Sequence, residues 1–303
     1  MAVTVQSSMR QSEPSPRPGV APLRGRRSRV ADHSAGLHPL SPLVLVWRHR
    51  ELFWQMTKRE VIGRYRGSVL GVLWSFLTPL VTLAIYSFVF GFVLHVRWRA
   101  ESPSQIESSL ILFAGLVVYG LFAECVTRAP GLIVSNTNYV KKVIFPLEIL
   151  PWVTVGAALF HALMSLLVVF VFTIGVYGAL PWTIVTLPVT IFPFVLLIVG
   201  LCWFLASLGV FLRDIQQTVG LVTNALLFLS PVLYPSSSVP ASVQVLLFMN
   251  PLTFIVEQVR EGLLWGHVPH WSGLAYYFMG SMLIAWLGLW WFQKTRRGFA
   301  DVL

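Results

Sequence analysis

Long uncharged blocks, separated by short basic or Pro-rich segments, dominate the chain. Residues 71–94 contain no Asp, Glu, Lys or Arg, and a helix of that length rises ~36 Å, enough to cross a hydrocarbon core about 30 Å thick with some tilt. Residues 149–212 are likewise free of Asp, Glu, Lys and Arg; they are long enough for two spans, with the turn GALPW at 178–182 between them. Read this way, the pattern predicts six transmembrane helices at about 71–94, 109–127, 152–177, 182–208, 219–233 and 273–292. Pro79 interrupts the first, and Pro188 and Pro193 bend the outer half of the fourth. Prolines inside spans are tolerated where neighbouring helices or water satisfy the freed backbone groups, so these helices are expected to face protein or a cavity.

The segments between the spans are informative too. In a helix over 43–66, Trp47, Trp54, Val61 and Tyr65 fall in one sector and Arg48, Gln55, Arg59 and Arg66 in another, with Leu52 and Ile62 intruding on the polar side. This predicts an amphipathic helix lying in the membrane interface. Residues 95–108 form a short outer loop. Residues 128–151 break twice at Pro, offer Ser135 or Asn136 as a helix cap, and read as a cytoplasmic connection with one or two short helices. Residues 236–271 are too polar and too broken for a full span and predict two short helices, near 242–249 and 252–265, in a shallow outer hairpin. Residues 1–42 are rich in Pro, Ser, Gly and Arg and lack periodicity, so a disordered cytoplasmic tail is expected. Its cluster Arg24, Arg26, Arg27 and Arg29 reads either as a solvated tail or as a contact with anionic lipid.

Composition supports the membrane reading: 56% of the 303 residues are hydrophobic and only 11% charged. The formal charge of +10 does not indicate nucleic acid, because Lys and Arg sit at the ends of apolar runs and in the first 66 residues. Six spans place all the Lys and Arg except Arg97, Arg99 and Arg260 on the cytoplasmic side with both termini, as the positive-inside rule requires; five or seven would put Lys294, Arg296 and Arg297 outside. Residues 67–303 are thus read as one six-span domain in an all-α integral membrane protein.

Chemistry is notable for what is missing. There is no G-x-x-x-x-G-K-[ST], H-E-x-x-H or G-x-S-x-G, and Cys125 and Cys202 fall inside apolar runs where packing is their expected role. Glu124, near the inner end of the second span, is expected to snorkel or to pair with Arg128 at i+4. His161 has no second His, Cys or carboxylate at i±3 or i±4, which favours a hydrogen-bonded packing residue over a ligand. Energy for transport would have to come from another subunit.

Four blocks carry a family resemblance: KREVIGRYRGSVLGVLWSFLTPL (58–80), NTNYVKKVIFPLEILP (136–151), FLRDIQQTVGLVTNALLFLSPVLYP (211–235) and NPLTFIVEQVREGLLWG (250–266). In this order they resemble the membrane subunit of ABC-2 type polysaccharide exporters, the Wzm/TagG family for O-antigen and teichoic acid, from about Trp47 to the C-terminus. The resemblance implies a homodimer in the bacterial cytoplasmic (inner) membrane. Two Wzt/TagH-like nucleotide-binding subunits would hold ATP and Mg2+, this chain would bind no cofactor, metal or nucleic acid, and the substrate would be a polysaccharide on undecaprenyl diphosphate. By position it implies an interface helix at 47–66, a first coupling helix at 129–139, a gate helix at 140–148, a second coupling turn at 211–217 and an outer re-entrant gate at 242–265.

The site residues implied are, for coupling to the ATPase, Arg59, Asn136, Asn138, Tyr139, Arg213, Asp214 and Gln216. For the substrate pyrophosphate and gate they are Arg64, Arg66, Lys141, Lys142 and Glu148, where charge calls for Lys or Arg; simple positive-inside anchoring is the equal alternative for the cations. For a glycan channel they are Trp74, Phe76, Tyr86, Tyr119 and Phe122, whose rings can stack on the apolar faces of sugars; lipid contact or helix packing is the competing reading for each. For the outer gate they are Asn250, Pro251, Glu257, Arg260 and Glu261. The competing functions are an ABC-2 permease for a drug or small lipid, and a membrane glycosyl- or acyltransferase, which would need a catalytic carboxylate or His pair at a membrane face.

Overall fold

Every regular element in the computed structural model is helical, among the residues it describes: 40–93, 98, 105–140 and 145–303. Residues 1–39 of the expected tail, Arg97, Arg99, Lys141 and Lys142 lie outside the described residues, whereas Ser41 and Pro42, also assigned to that tail, begin the first helix. The helices are α1 (Ser41–Arg48), α2 (Arg50–Tyr65), α3 (Trp74–Tyr86), α4 (Gln105–Arg128), α5 (Thr137–Val140), α6 (Ile149–Tyr177), α7 (Leu187–Phe211), α8 (Ile215–Phe228), α9 (Ala241–Met249), α10 (Pro251–Arg260), α11 (Trp271–Thr295) and α12 (Phe299–Val302).

Among the described residues, five stretches are long and apolar enough to cross a membrane: Gly71–Val93, Ile106–Gly131, Ile149–Tyr177, Trp182–Phe211 and Trp271–Val302. This is an all-α membrane protein. Burial separates the spans into two kinds. In the stretches containing α4 and α7, 67% and 72% of the most apolar window is buried, against 17%, 22% and 28% in those containing α3, α6 and α11. So α4 and α7 form the centre, and the other three turn broad apolar faces outward, which hydrocarbon or a further protein surface must cover.

The expected fifth span, 219–233, is represented by α8, whose 14 residues rise only ~21 Å. The helix stops where Pro231, which has no N–H and disfavours helical geometry at Ser230, enters the run. The expected interface helix is two helices joined at His49, whose φ of −112° and ψ of 27° break the register. The predicted sector is therefore not one face. Trp47 and Trp54 are 74% and 68% exposed, whereas Val61 is buried, because α2 packs on α6 through Phe53 and Thr57, both 3.0 Å from where a Cβ on Gly156 would stand.

Close backbone approach fixes the centre. A Cβ on Gly288 of α11 would lie 2.9 Å from the carbonyl carbon of Gly200 on α7, so these two glycines let the helix backbones touch. Trp203 and Phe194 of α7 and Phe292 of α11 are fully buried beside this crossing. Cys202, also buried, points its thiol at the Cys125 carbonyl of α4 at 3.6 Å, and both cysteines are free. Gly178, at φ 78° in the left-handed region, ends α6 and starts the turn to α7.

Candidate functional site

Polar side chains concentrate at the two ends of the bundle. At the basic end, α2, α4 and α6 converge on Glu124. Its carboxylate forms a short ion pair with Arg64 of α2, accepts from His161 Nδ1 of α6 at 3.0 Å through both oxygens, and lies 3.6 Å from Arg128 one helical turn along α4. Arg128 in turn pairs closely with Glu60, and Arg59 donates to the Tyr139 hydroxyl at 2.6 Å. Arg59, Glu60, Arg64, Arg128 and His161 rim a cavity of about 340 Å³.

Glu124 and His161 also form part of a second space, a cleft of about 290 Å³ between α3, α4 and α6 whose polar lining is Thr78, Thr82, Tyr86, Tyr119 and Ser165. The triad of Arg64, Glu124 and His161 thus stands between a charged cavity and a hydroxyl-lined cleft. For Glu124 the sequence offers snorkelling or the Arg128 partner, and the packing of α2 and α6 adds Arg64 and His161. Sequence reading left Arg128, Glu124, Glu60 and His161 out of any site, although a Glu and an Arg at i, i+4 where an apolar run ends was a usable signal.

The two expected coupling segments are neighbours. The 129–140 stretch is not one helix: it forms 3-10 turns at Ala129–Gly131 and Val134–Asn136 followed by α5. Ser135 and Asn136 bond backward to the Gly131 and Leu132 carbonyls, at 2.8 and 2.9 Å. Pro130 sits against Gly209 near the end of α7, and the Gln216 side chain reaches to 3.8 Å from where a Cβ on Gly131 would be. Arg213 and Asp214 are exposed in the turn between α7 and α8, and Asn138 is exposed on α5. Tyr139 stacks on Phe145 at 4.4 Å.

Glu148 is a structural tie. It is buried, bonds Arg296 at 2.6 Å, and its carbonyl accepts from Trp203 at 3.0 Å. This draws it away from the arginine cavity with which it was grouped. Arg66, at the exposed end of α2, does not line that cavity either. Of the aromatic candidates, Tyr86 and Tyr119 share the cleft, Tyr119 donating to the Thr223 carbonyl at 3.0 Å. Phe122 is buried against Phe194 in the core, with no ring face left for a ligand, and Trp74 and Phe76 are not among the residues lining the cleft.

At the far end, the candidates of the outer hairpin act as fasteners. Arg260 is 3% exposed and donates to three carbonyls, those of Ile111 (2.9 Å), Pro231 (2.6 Å) and Val232 (2.9 Å), beneath the ring of Trp98. Gly115 of α4 supplies the space, since a Cβ there would lie 3.0 Å from the guanidinium carbon. A guanidinium keeps its proton in proteins, so the three carbonyls surround a cation. Asn250 caps α10 by accepting from the Leu252 N–H and donates to Ser230 and Leu229, while the Pro251 carbonyl accepts from Tyr277. Glu261 forms a close pair with His267, and Glu257 and Glu261 line a cavity of about 600 Å³. The sequence places Arg260 on the outer side among the gate residues; the structure shows it buried within the protein.

Apolar helical spans, a charged cavity at one end and a pinned hairpin at the other describe a helical membrane protein. The chain belongs to the ABC-2 type transporter family, which it matches over residues 51–264. Among its relatives, an O-antigen export system permease protein RfbA of Klebsiella pneumoniae is 28% identical over 250 residues, covering 82% of this chain and 93% of that protein. The protein of the same name from Myxococcus xanthus is 27% identical over 259 residues, 84% of this chain and 96% of that one. The polysialic acid transport protein KpsM of Escherichia coli is 25% identical over 235 residues, 76% and 88% respectively.

Proposed function

We propose that this chain is the membrane-crossing permease subunit of an ATP-driven exporter of a polysaccharide carried on undecaprenyl diphosphate. Two copies would form the path across the bacterial inner membrane, with both termini cytoplasmic. Two nucleotide-binding subunits would supply ATP hydrolysis with Mg2+. The observation that carries this reading is the similarity to permeases named for O-antigen and polysialic acid transport over most of both chains. Two features support it. The chain holds no P-loop sequence, so energy must arrive through a contact surface, and the adjoining turns at 129–140 and 213–217 offer one at the basic end. The cleft beside Glu124 mixes apolar side chains such as Phe113, Leu116 and Val117 with the hydroxyls of Thr78, Thr82, Ser165, Tyr86 and Tyr119, a combination that suits a hydroxyl-rich polymer with apolar sugar faces. Counting six spans by parity belongs to this proposal, with α8 and the hairpin after it completing the sixth passage.

The test is genetic. Deleting the gene in its own bacterium should remove the glycan from the cell surface and accumulate it on its lipid carrier inside, and re-expression should reverse both. Normal surface glycan in the deletion strain would reject the exporter reading.

A further inference from the structure

The charged cavity at the basic end has one carboxylate in its lining, Glu60, and a second, Glu124, lies just behind that lining and engages Arg64 from the neighbouring cleft. Arg59 comes from the third turn of α2, Arg64 from its last turn and Arg128 from the end of α4, so three guanidinium groups from two helices face one space. Glu60 engages Arg128, and Glu124 reaches across to Arg64, whereas Arg59 donates to the neutral Tyr139 hydroxyl. Around the cavity the formal balance is therefore positive. Glu124 itself is held by no fixed geometry of its own helix: its oxygens are shared between Arg64, His161 and, at 3.6 Å, Arg128. His161 lies as close to the guanidinium as to the carboxylate, with Nδ1 2.9 Å from Arg64 and 3.0 Å from Glu124, and its buried Nε2 has no hydrogen-bond partner among the described residues. The triad is a packed but exchangeable set of contacts.

Arg64 lies seven positions before Gly71, where the first apolar stretch begins, and its guanidinium reaches in to Glu124 and His161, which belong to the apolar stretches Ile106–Gly131 and Ile149–Tyr177. A carboxylate and a phosphate present the same paired acceptor oxygens to a guanidinium. The cavity, about 340 Å³, equals roughly eleven water volumes at ~30 Å³ each, more room than a diphosphate requires. Arg64 and Arg128 are 50% and 41% exposed, so a headgroup can reach them.

We propose that the cavity of Arg59, Arg64 and Arg128 binds the phosphate-bearing head of a membrane lipid, and that Glu124 is its built-in competitor. The incoming phosphate takes Arg64 from Glu124. The freed carboxylate stays on His161 and Arg128, beside the hydroxyl-lined cleft that it also borders. Naming that lipid as the diphosphate carrier of a glycan rests on the proposed function; the displacement itself does not.

The sign of one substitution separates this from a plain salt bridge. Glu124→Gln keeps the shape and the contact with His161 but removes the competing charge. In the full-length protein held in phosphatidylcholine nanodiscs, inorganic pyrophosphate should bind about tenfold more tightly to E124Q than to wild type at low salt, as expected for removing one charge a few ångströms away. Arg64→Ala should weaken binding about tenfold and should abolish the gain when combined with E124Q. R64A leaves Glu124 its His161 and Arg128 partners, so it tests the site even if E124Q fails to fold. Unchanged or weaker pyrophosphate binding by a folded E124Q, or unchanged binding by R64A, would overturn the displacement and leave the export reading intact. A second arm compares undecaprenyl diphosphate with phosphatidylglycerol by native mass spectrometry. Preference for the former supports the carrier; equal retention of both, with the E124Q gain present, keeps the phosphate site and rejects the carrier as its occupant.

Discussion

Arg260→Met is expected to lower the stability of the purified protein by roughly 3–5 kcal/mol, the cost of breaking a buried charged network at one partner. The guanidinium is the donor for three carbonyls, those of Ile111, Pro231 and Val232, and it is almost wholly buried. Methionine replaces the aliphatic part of the side chain but ends two atoms short of the guanidinium nitrogens and donates nothing. Buried carbonyls left without a donor each cost about 1–3 kcal/mol, and loss of the contact with the Trp98 ring adds to this. For a chain of this size the fall in melting temperature should be on the order of 10 °C. Arg260→Lys should lie between, because an ammonium group keeps the charge but cannot span three carbonyls set around a planar fork. A melting curve for R260M within a degree of wild type would mean that water reaches those carbonyls and that the hairpin is not pinned there.

The reach of sequence reasoning follows from what each signal encodes. The abrupt change from GRYRG to an uncharged run marks the start of the first span, and Gly178 marks the end of α6, because charge and left-handed geometry are local properties. The partners of Arg260 are not local. It sits between Glu257 and Glu261 on an amphipathic segment, and nothing in that pattern reveals carbonyls at positions 111, 231 and 232. The same holds for Glu124: Arg128 is readable at i+4, whereas Arg64 depends on how α2 lies across α4 and α6. Phe122 was misleading for a different reason. On a helix apolar all round, periodicity cannot say which face meets α7, so a core ring and a channel ring look alike. The shortness of α8 was legible in SPVLYP, where Pro231 follows Ser230, but the apolar run around it masked the stop.

The other large effect is expected at Gly209, through a contact that only a missing side chain permits. A Cβ there would clash with the Pro130 carbonyl oxygen and lie 2.6 Å from its carbon and 2.7 Å from its Cα. These are backbone atoms and cannot rotate aside, so Gly209→Ala must push the 129–131 turn off the end of α7. The strain should cost about 1–3 kcal/mol. Gly175→Ala is the control with the opposite sign, since it is also helical but has nothing within 4 Å of the added Cβ, and should stabilise by about 0.5–1 kcal/mol. On the proposed function, the displaced turn belongs to the surface that receives the ATPase, with Gln216 beside it. G209A reconstituted with its nucleotide-binding subunit should therefore lose most of the coupling between hydrolysis and glycan movement, while G175A keeps it. Equal melting temperatures and equal coupling in the two variants would show that the approach of Pro130 to α7 serves neither stability nor transmission.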